Sequence, residues 1–339
     1  MARGRVLVTG ASGFIAKHIV LSLLGEGFDV RGTVRGQRRA DEVRAVVRAE
    51  GSDPERCEFV EADLGSDTGW AEAVAGCRYV LHTASPFPLV QPRRPERLVE
   101  LARHGTETVL RAAARAGAER AVVTSSVAAV FYGHPRDRVR PFDEGDFTDL
   151  SSRAVSPYAR SKTVAELAAW DVSRETGLQL STINPGLVLG PVLDQRLGTS
   201  AQLVASMMKG RLPLLPDIAI PSVDVRDVAR AHVRAMLAPE AKRRFLLAAP
   251  ETPSLLQLAA FLAEAFPDRS RRLPRHKLPS TLIRLGALIS PGAAMLADDL
   301  GRAKTVDTSP ARDRLGIRFT PVREAVVALG ESLVRHRCV

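Results

Sequence analysis

The sequence predicts an α/β fold, a doubly wound parallel sheet covered by helices and followed by a smaller, mostly helical C-terminal domain. Two observations carry this reading. From residue 3 to about 185, short β-branched runs alternate with longer amphipathic ones, and such alternation argues for a parallel sheet covered on both faces. The first run also leads directly into LVTGASGFIA, residues 7–16, where Gly10 and Gly13 precede an apolar helical face. A strand–turn–helix of this kind lets the backbone approach a pyrophosphate at a helix N-terminus, as in a Rossmann-type domain.

Taken in order, RVLVTG, FDVRGTV, CEFVEAD, RYVLHTAS, ERAVVTSS and LQLSTINPG read as strands. Between them IAKHIVLSLLGEG, TGWAEAVAG, RLVELARHGTETVLRAAARAG and SPYARSKTVAELAAWDVSRETG carry helical periodicity. After residue 190 Pro and Gly become frequent, in RLPLLPDIAIP, APETPS and RRLPRHKLPS, and mostly helical segments follow. A helix at 224–237 and a strand near FLLAA are expected to return to the first domain. The division is therefore a dinucleotide-binding domain over 1–189, rejoined by 220–249, and a substrate-binding domain over 190–219 and 250–339. Neither an internal repeat nor a low-complexity tract is evident.

Composition narrows the function classes. The chain has 339 residues, a 45% hydrophobic and 25% charged composition, and a net charge of +10. Its six lysines are far outnumbered by arginines, and the densest basic runs, RGQRRADEVR and RSRRLPRHK, lack interleaved aromatics. That is a compositional bias over the surface, so no nucleic-acid partner is expected. No apolar run reaches the eighteen or so residues of a membrane span, and MARGRVLVTG enters a strand without a secretory leader. Cys57, Cys77 and Cys338 are too few and scattered for a disulfide framework or a metal site. A reduced, cytoplasmic, metal-free protein is expected, either monomer or homodimer.

The end of the second strand should meet the adenosine ribose of a bound dinucleotide. An acidic residue there binds the 2′-hydroxyl of NAD, whereas arginine accommodates the 2′-phosphate of NADP. Asp29 stands before the strand, at the wrong end, while Arg35 sits at its tip with Arg38 and Arg39 beyond. Guanidinium pairs with phosphate through two parallel hydrogen bonds, so NADP(H) is favoured.

SPYARSK places Tyr158 and Lys162 four residues apart, on one helical face. A free phenol has a pKa of about 10. A neighbouring ammonium is expected to lower it and make the pair a general acid/base near neutrality. The chain has only three tyrosines, and Lys162 keeps lysine where the composition drifts to arginine. One strand earlier, AVVTSSVAAV ends in hydroxyls, and Ser126 is the best placed donor to a substrate oxygen. His82, at a strand end, reads as a packed residue rather than a base.

TGASGFIA, TSS and YARSK, in this order, resemble the extended short-chain dehydrogenase/reductase superfamily. More closely, VRGTVR, EADL, VLHTASPF, TSSVAAV, SPYARSK, INPGLVLGP and VDVRDVARAHV resemble its dihydroflavonol 4-reductase-like branch of carbonyl and aldehyde reductases. These stretches run across about two-thirds of the chain; the C-terminal region fits only in pattern. The resemblance implies a Ser126–Tyr158–Lys162 triad. It implies that Gly10, Ser12, Gly13, Phe14 and Ile15 hold the pyrophosphate, Arg35 the 2′-phosphate, and Asp63 and Leu64 flank adenine. Thr83, Ala84, Ser85 and Thr124 would line the nicotinamide ribose, Pro185, Gly186 and Val188 the carboxamide, and Ser200 would return to the cofactor. The glycine that the family places after Phe-Ile is Ala16 here, small enough for the same helix–strand packing.

NADPH-dependent reduction of a ketone or aldehyde follows as the expected activity. Phe87, Phe131 and Tyr132 are candidate walls of a largely apolar substrate pocket. The competing readings are a hydroxysteroid-type dehydrogenase/isomerase, a sugar-nucleotide epimerase, and a dinucleotide-sensing regulatory protein without turnover. The last of these needs no Tyr–Lys pair.

Overall fold

A computed structural model describes residues 3–85, 95–152, 155–238, 243–287, 296–302 and 304–339. The predicted strands form β1 (Arg5–Thr9), β2 (Asp29–Val34), β3 (Cys57–Glu61), β4 (Tyr79–His82), β5 (Arg120–Thr124) and β6 (Gln179–Pro185). With a later strand, β10 (Arg244–Leu247), they make one sheet in the order β10-β6-β5-β4-β1-β2-β3. Every neighbouring pair is parallel. Parallel strands buried on both faces read as near-continuous apolar runs, which is why RVLVT and YVLH were legible. The order reverses between β1 and β4, and ligands bind in the crevice outside the carboxyl ends of strands at such a point.

Side-chain alternation divides the core into two layers. Val6 and Val8 face one way and pack with α1 (Phe14–Gly25), α2 (Gln37–Ala49) and α7 (Val225–Leu237). Leu7 faces the other way and joins Val80, Val123 and Leu180 beneath α3 (Trp70–Val74), α4 (Pro95–Arg115) and α5 (Pro157–Thr176). A third apolar cluster belongs to the smaller domain. It unites α6 (Thr199–Met208), α8 (Leu255–Ala265, begun by a Ser254/Gln257 capping box) and the helix Val322–Arg335 around Leu189, Val192 and, from the short strand β8 (Leu214–Leu215), Leu215.

The chain passes between the two layers of organisation at β7 (Leu187–Leu189) and β9 (Ser222–Asp224), which pair in parallel. Gly186 lies where these crossings approach most closely: a Cβ there would stand 2.0 Å from the Pro221 carbonyl oxygen. After β9 the chain returns to the sheet through α7 and β10. The chain beyond residue 250 also reaches the sheet layer. Ala311 and Leu315 of the helix Ser309–Leu315, with Ile317, pack into the cluster of α1 and α7, because three small or branched apolar side chains there complete the layer over the sheet.

Candidate active site

Ser156 and Pro157 determine where α5 begins. Ser156 is the N-cap, its Oγ accepting from the Ala159 amide at 3.1 Å, and Pro157 fits the first turn, where a missing N–H costs nothing. Tyr158 is thereby fixed in the first turn, at the carboxyl edge of the sheet, with Lys162 one turn further. Ser126 arrives from the end of β5. It caps the single 3₁₀ turn Val127–Ala129 through its Oγ, which accepts from the Ala128 amide at 3.1 Å. The structure brings Ser126 and Tyr158 into hydrogen-bond contact.

The electrostatics of the pair differ from the sequence expectation. Burial raises the Tyr158 phenol above its ordinary value, and the hydrogen bond with Ser126 pulls against that rise. Tyr158 is thus protonated at neutral pH in the free protein, the form that donates. The Lys162 ammonium is itself buried, donates to the Thr124 carbonyl oxygen at 3.1 Å, and is lowered to about 8 by desolvation, with the Glu166 carboxylate acting the other way.

Glu166 lies a further turn along the same face of α5 and was not singled out from the sequence. Its buried carboxylate accepts from four side chains: Ser125 Oγ at 2.5 Å, Asn184 Nδ2 at 2.7 Å, Thr182 Oγ1 at 3.0 Å and Arg244 Nε at 2.5 Å. Arg244 also donates to the backbone carbonyls of Glu144 and Asp146, and its guanidinium stacks 3.6 Å from the centre of the Phe147 ring. Asn184 Nδ2 lies 3.3 Å from the Ser126 carbonyl oxygen. A carboxylate one turn past Lys162 was the only signal in the sequence.

Two buried histidines serve as connectors. Thr9 Oγ1 accepts from the Thr83 and Ala84 amides, at 3.1 and 3.0 Å, so its own proton goes to His82 Nδ1 at 2.9 Å. Burial lowers His82 to about 3, so it is neutral and holds the Thr83–Ala84 turn. His232 Nδ1 donates to the Val228 carbonyl at 2.8 Å, leaving Nε2 to accept from the Thr124 hydroxyl at 2.7 Å. Burial lowers it to about 4. The Thr124 hydroxyl is therefore turned away to His232, and what Thr124 offers Lys162 is its carbonyl.

The glycine loop suits a dinucleotide. Gly10 has a φ of +64°, in the left-handed region, and a Cβ there would come within 3.1 Å of the Ala84 Cβ. Gly13 is exposed and occupies the N-cap of α1 without any side-chain cap. The first amides of a twelve-residue helix are thus left for a ligand's phosphates. Ser12, Phe14 and Ile15 stand half-exposed around this end. Arg35 is exposed just beyond β2, and it makes no ion pair among the described residues.

The remaining expected positions fall along the same edge. Asp63 Oδ1 accepts from the Gly65 amide at 2.7 Å, and Leu64 packs beneath α4. Thr83, Ala84 and Ser85 follow β4 half-buried. Pro185 ends β6, Gly186 donates its amide to the Leu247 carbonyl at 2.9 Å, and Val188 pairs with Val223. The Ser200 hydroxyl donates to the Val188 carbonyl at 2.5 Å.

Of the expected pocket walls, Phe131 is buried with Val127, Val130, Phe142 and Leu246, its ring centre 4.8 Å from that of Tyr132. Its neighbour Tyr132 packs beside Tyr158, against Ala128, Val155 and Ala159, with its hydroxyl 3.4 Å from Asp299 Oδ2. Phe87 lies outside the described residues.

Comparison with known proteins agrees with this fold. The model of the NAD dependent epimerase/dehydratase family matches residues 6–248. The chain belongs to that family. Cinnamoyl-CoA reductase 1 of Arabidopsis thaliana is 38% identical over 265 residues, 78% of this chain and 75% of that protein. Tetraketide alpha-pyrone reductase 1 of the same plant is 36% identical over 271 residues, 79% of this chain and 82% of its own. Among solved structures, yeast methylglyoxal/isovaleraldehyde reductase Gre2 complexed with NADPH superposes with a TM-score of 0.81. It is 28% identical, with 98% of this chain and 99% of that one covered. The protein is a dinucleotide-dependent oxidoreductase of the extended short-chain type, on the reductase branch that the motifs resembled.

The Glu166–Arg244 pair yields a stability prediction. Arg244→Met leaves a buried carboxylate without its cation and should cost about 3–5 kcal/mol in urea unfolding. Adding Glu166→Leu should restore part of that loss, so the two replacements together cost less than their sum. Additive losses would mean that the two side chains are energetically independent.

Proposed function

We propose that the protein reduces a ketone or aldehyde to an alcohol with NADPH, using Ser126, Tyr158 and Lys162. The observation that carries this reading is the protonated Tyr158 phenol, bonded to Ser126 and one helical turn from the Lys162 ammonium. NADP(H) is the cofactor, and the exposed Arg35 at the tip of β2 is the residue that meets its 2′-phosphate. When bound, NADPH supplies the hydride.

The chain's own groups do the rest. Ser126 and Tyr158 direct their hydroxyls at the substrate carbonyl oxygen, where negative charge develops as the carbon is reduced. Tyr158 passes its proton to that oxygen. Lys162, held by the Thr124 carbonyl, sets a positive charge behind the forming phenolate and holds the cofactor ribose. Tyr132, beside Tyr158, borders the substrate.

A second reading, reduction of an acyl-CoA thioester, draws support from the relatives named cinnamoyl-CoA reductase. NADPH oxidation with cinnamoyl-CoA, isovaleraldehyde, a steroid ketone and a UDP-sugar, with NADH alongside, separates the readings. Turnover of the aldehyde or a ketone supports the proposal. Turnover of the thioester alone replaces it with the second reading, and binding without turnover of any of them points to a sensor.

Three outcomes test the assignments. Tyr158→Phe should lower kcat at least about a hundredfold while NADPH still binds; substantial activity at saturating substrate removes Tyr158 as the donor. Arg35→Ala should weaken NADPH binding and spare NADH, whereas an equal loss for both would show that Arg35 does not read the phosphate. The kcat/KM of reduction should fall as pH rises through about 8, because Lys162 is charged below that value and neutral above it. A profile flat to pH 10 would remove the Lys162 charge from the mechanism.

A further inference from the structure

The carboxylate of Glu42, on α2, is surrounded by arginines. Arg39 Nη1 lies 2.7 Å from it and Arg38 Nε 3.3 Å. A third arginine, Arg196, comes from the opposite side, its Nε 3.7 Å away. Arg196 belongs to the segment between β7 and α6, in the smaller domain. That segment is anchored over α1 at several points. The buried Lys17 ammonium meets Asp194 Oδ2 at 2.5 Å, and the same carboxylate's other oxygen accepts the Arg196 amide at 3.0 Å. His18 Nε2 bonds the Pro191 carbonyl at 2.9 Å, and Gly198 lies against Phe14, the first residue of α1. The two ends of this cluster feel each other: Lys17 is lowered by burial, opposed by Asp194 and Glu42, while Arg39 adds to the lowering.

This cluster is placed where the adenosine end of the cofactor belongs. α2 starts two residues after Arg35, and α1 starts at the glycine loop. Arg38, Arg39 and Arg196 share a single carboxylate, whose hydrogen bond with Arg39 holds Glu42 below the usual carboxylate range. A phosphate monoester carries up to two negative charges and three strong acceptor oxygens, so it is a better partner for guanidinium groups than one carboxylate.

We propose that Glu42 is the resident stand-in for the 2′-phosphate of NADP(H), and that Arg196 joins that phosphate from the smaller domain when the cofactor binds. The ligand class is a ribose 2′-phosphomonoester, and the proposal rests on the NADP(H) reading above. Arg35 supplies the fixed recognition at the strand tip. Arg196, delivered by the strap over α1, links recognition of the phosphate to the position of the substrate-side domain. NADH, lacking the phosphate, leaves Glu42 paired with the arginines and the strap in its free arrangement.

The test is calorimetric titration of the full-length protein with NADPH, NADH, 2′,5′-ADP and 5′-AMP, so no turnover is needed. Arg196→Ala should weaken NADPH and 2′,5′-ADP by roughly tenfold, the loss of a charge-assisted hydrogen bond, with NADH and 5′-AMP unchanged. Glu42→Gln should tighten NADPH and 2′,5′-ADP by about two- to fivefold, as expected for removing a half-exposed competing carboxylate. Equal loss of NADPH and NADH in Arg196→Ala would assign Arg196 to the strap's packing alone and overturn the proposal, as would no loss at all. Weaker NADPH binding in Glu42→Gln would overturn the stand-in role. A wild-type protein that binds NADPH no better than NADH defeats the cofactor reading itself, whereas a clear wild-type preference with an indifferent Arg196 defeats only this proposal.

Discussion

The arrangement of the candidate active site depends on one buried ion pair, Glu166 with Arg244. Taking both charges out of water costs several kcal/mol per ion, and the cost is offset only because the polar atoms are so well used. The carboxylate meets four donors, drawn from the end of β5, from β6 and from β10. The guanidinium returns to the carbonyls of the 144–146 loop. Such a pair contributes little as net stability and much as position. It fixes the roll of α5 against the strand ends, and the roll of α5 decides where Tyr158 and Lys162 point. Its negative member also opposes the discharge of Lys162.

The two histidines complete that frame without adding a titration of their own near neutrality. His82 and His232 are held neutral by burial, at about 3 and 4, and each has a defined tautomer because a hydroxyl or a carbonyl dictates it. The charge that changes near working pH is therefore on Lys162. Tyr158 stays protonated for the same reason that Lys162 is lowered, since burial disfavours phenolate just as it disfavours ammonium. Desolvation thus moves the two pKa values apart, the phenol up from its ordinary value and the ammonium down to about 8.

What the sequence made legible was local. Parallel strands declared themselves as apolar runs, the glycine loop by Gly10 and Gly13, and the Tyr158–Lys162 pair by its spacing of four. α2 was hidden, because QRRADEVRAVVRA reads as a basic run until its Val43, Val46 and Val47 are seen buried on one face. The burial of Phe131 with Val127, Val130 and Phe142 is a tertiary property that its place after Ser126 does not encode. The Glu166–Arg244 pair joins residues 78 positions apart, and no periodicity announces such a contact. The rise of the Tyr158 pKa is likewise a property of burial, which spacing does not encode.

The connection between domains explains how one frame serves a substrate side that the motifs leave undefined. The chain leaves the sheet after Pro185 and turns back toward it at Ser222, and these two passages lie side by side as the parallel pair β7–β9. The Leu187 amide bonds the Pro221 carbonyl at 2.7 Å, an approach that only Gly186 permits, since any Cβ there would meet that same carbonyl oxygen. Two hydrogen-bonded passages resist twisting far better than one flexible linker. The helix Ser309–Leu315 adds a third tie by packing back on the sheet layer. The smaller domain is thus carried at a set distance from the carboxyl ends of β4, β5 and β6, where the hydroxyls of Ser126 and Tyr158 wait. Variation in its loops leaves the placement of Ser126, Tyr158 and Lys162 untouched, because that placement is held by α5 and the strand ends.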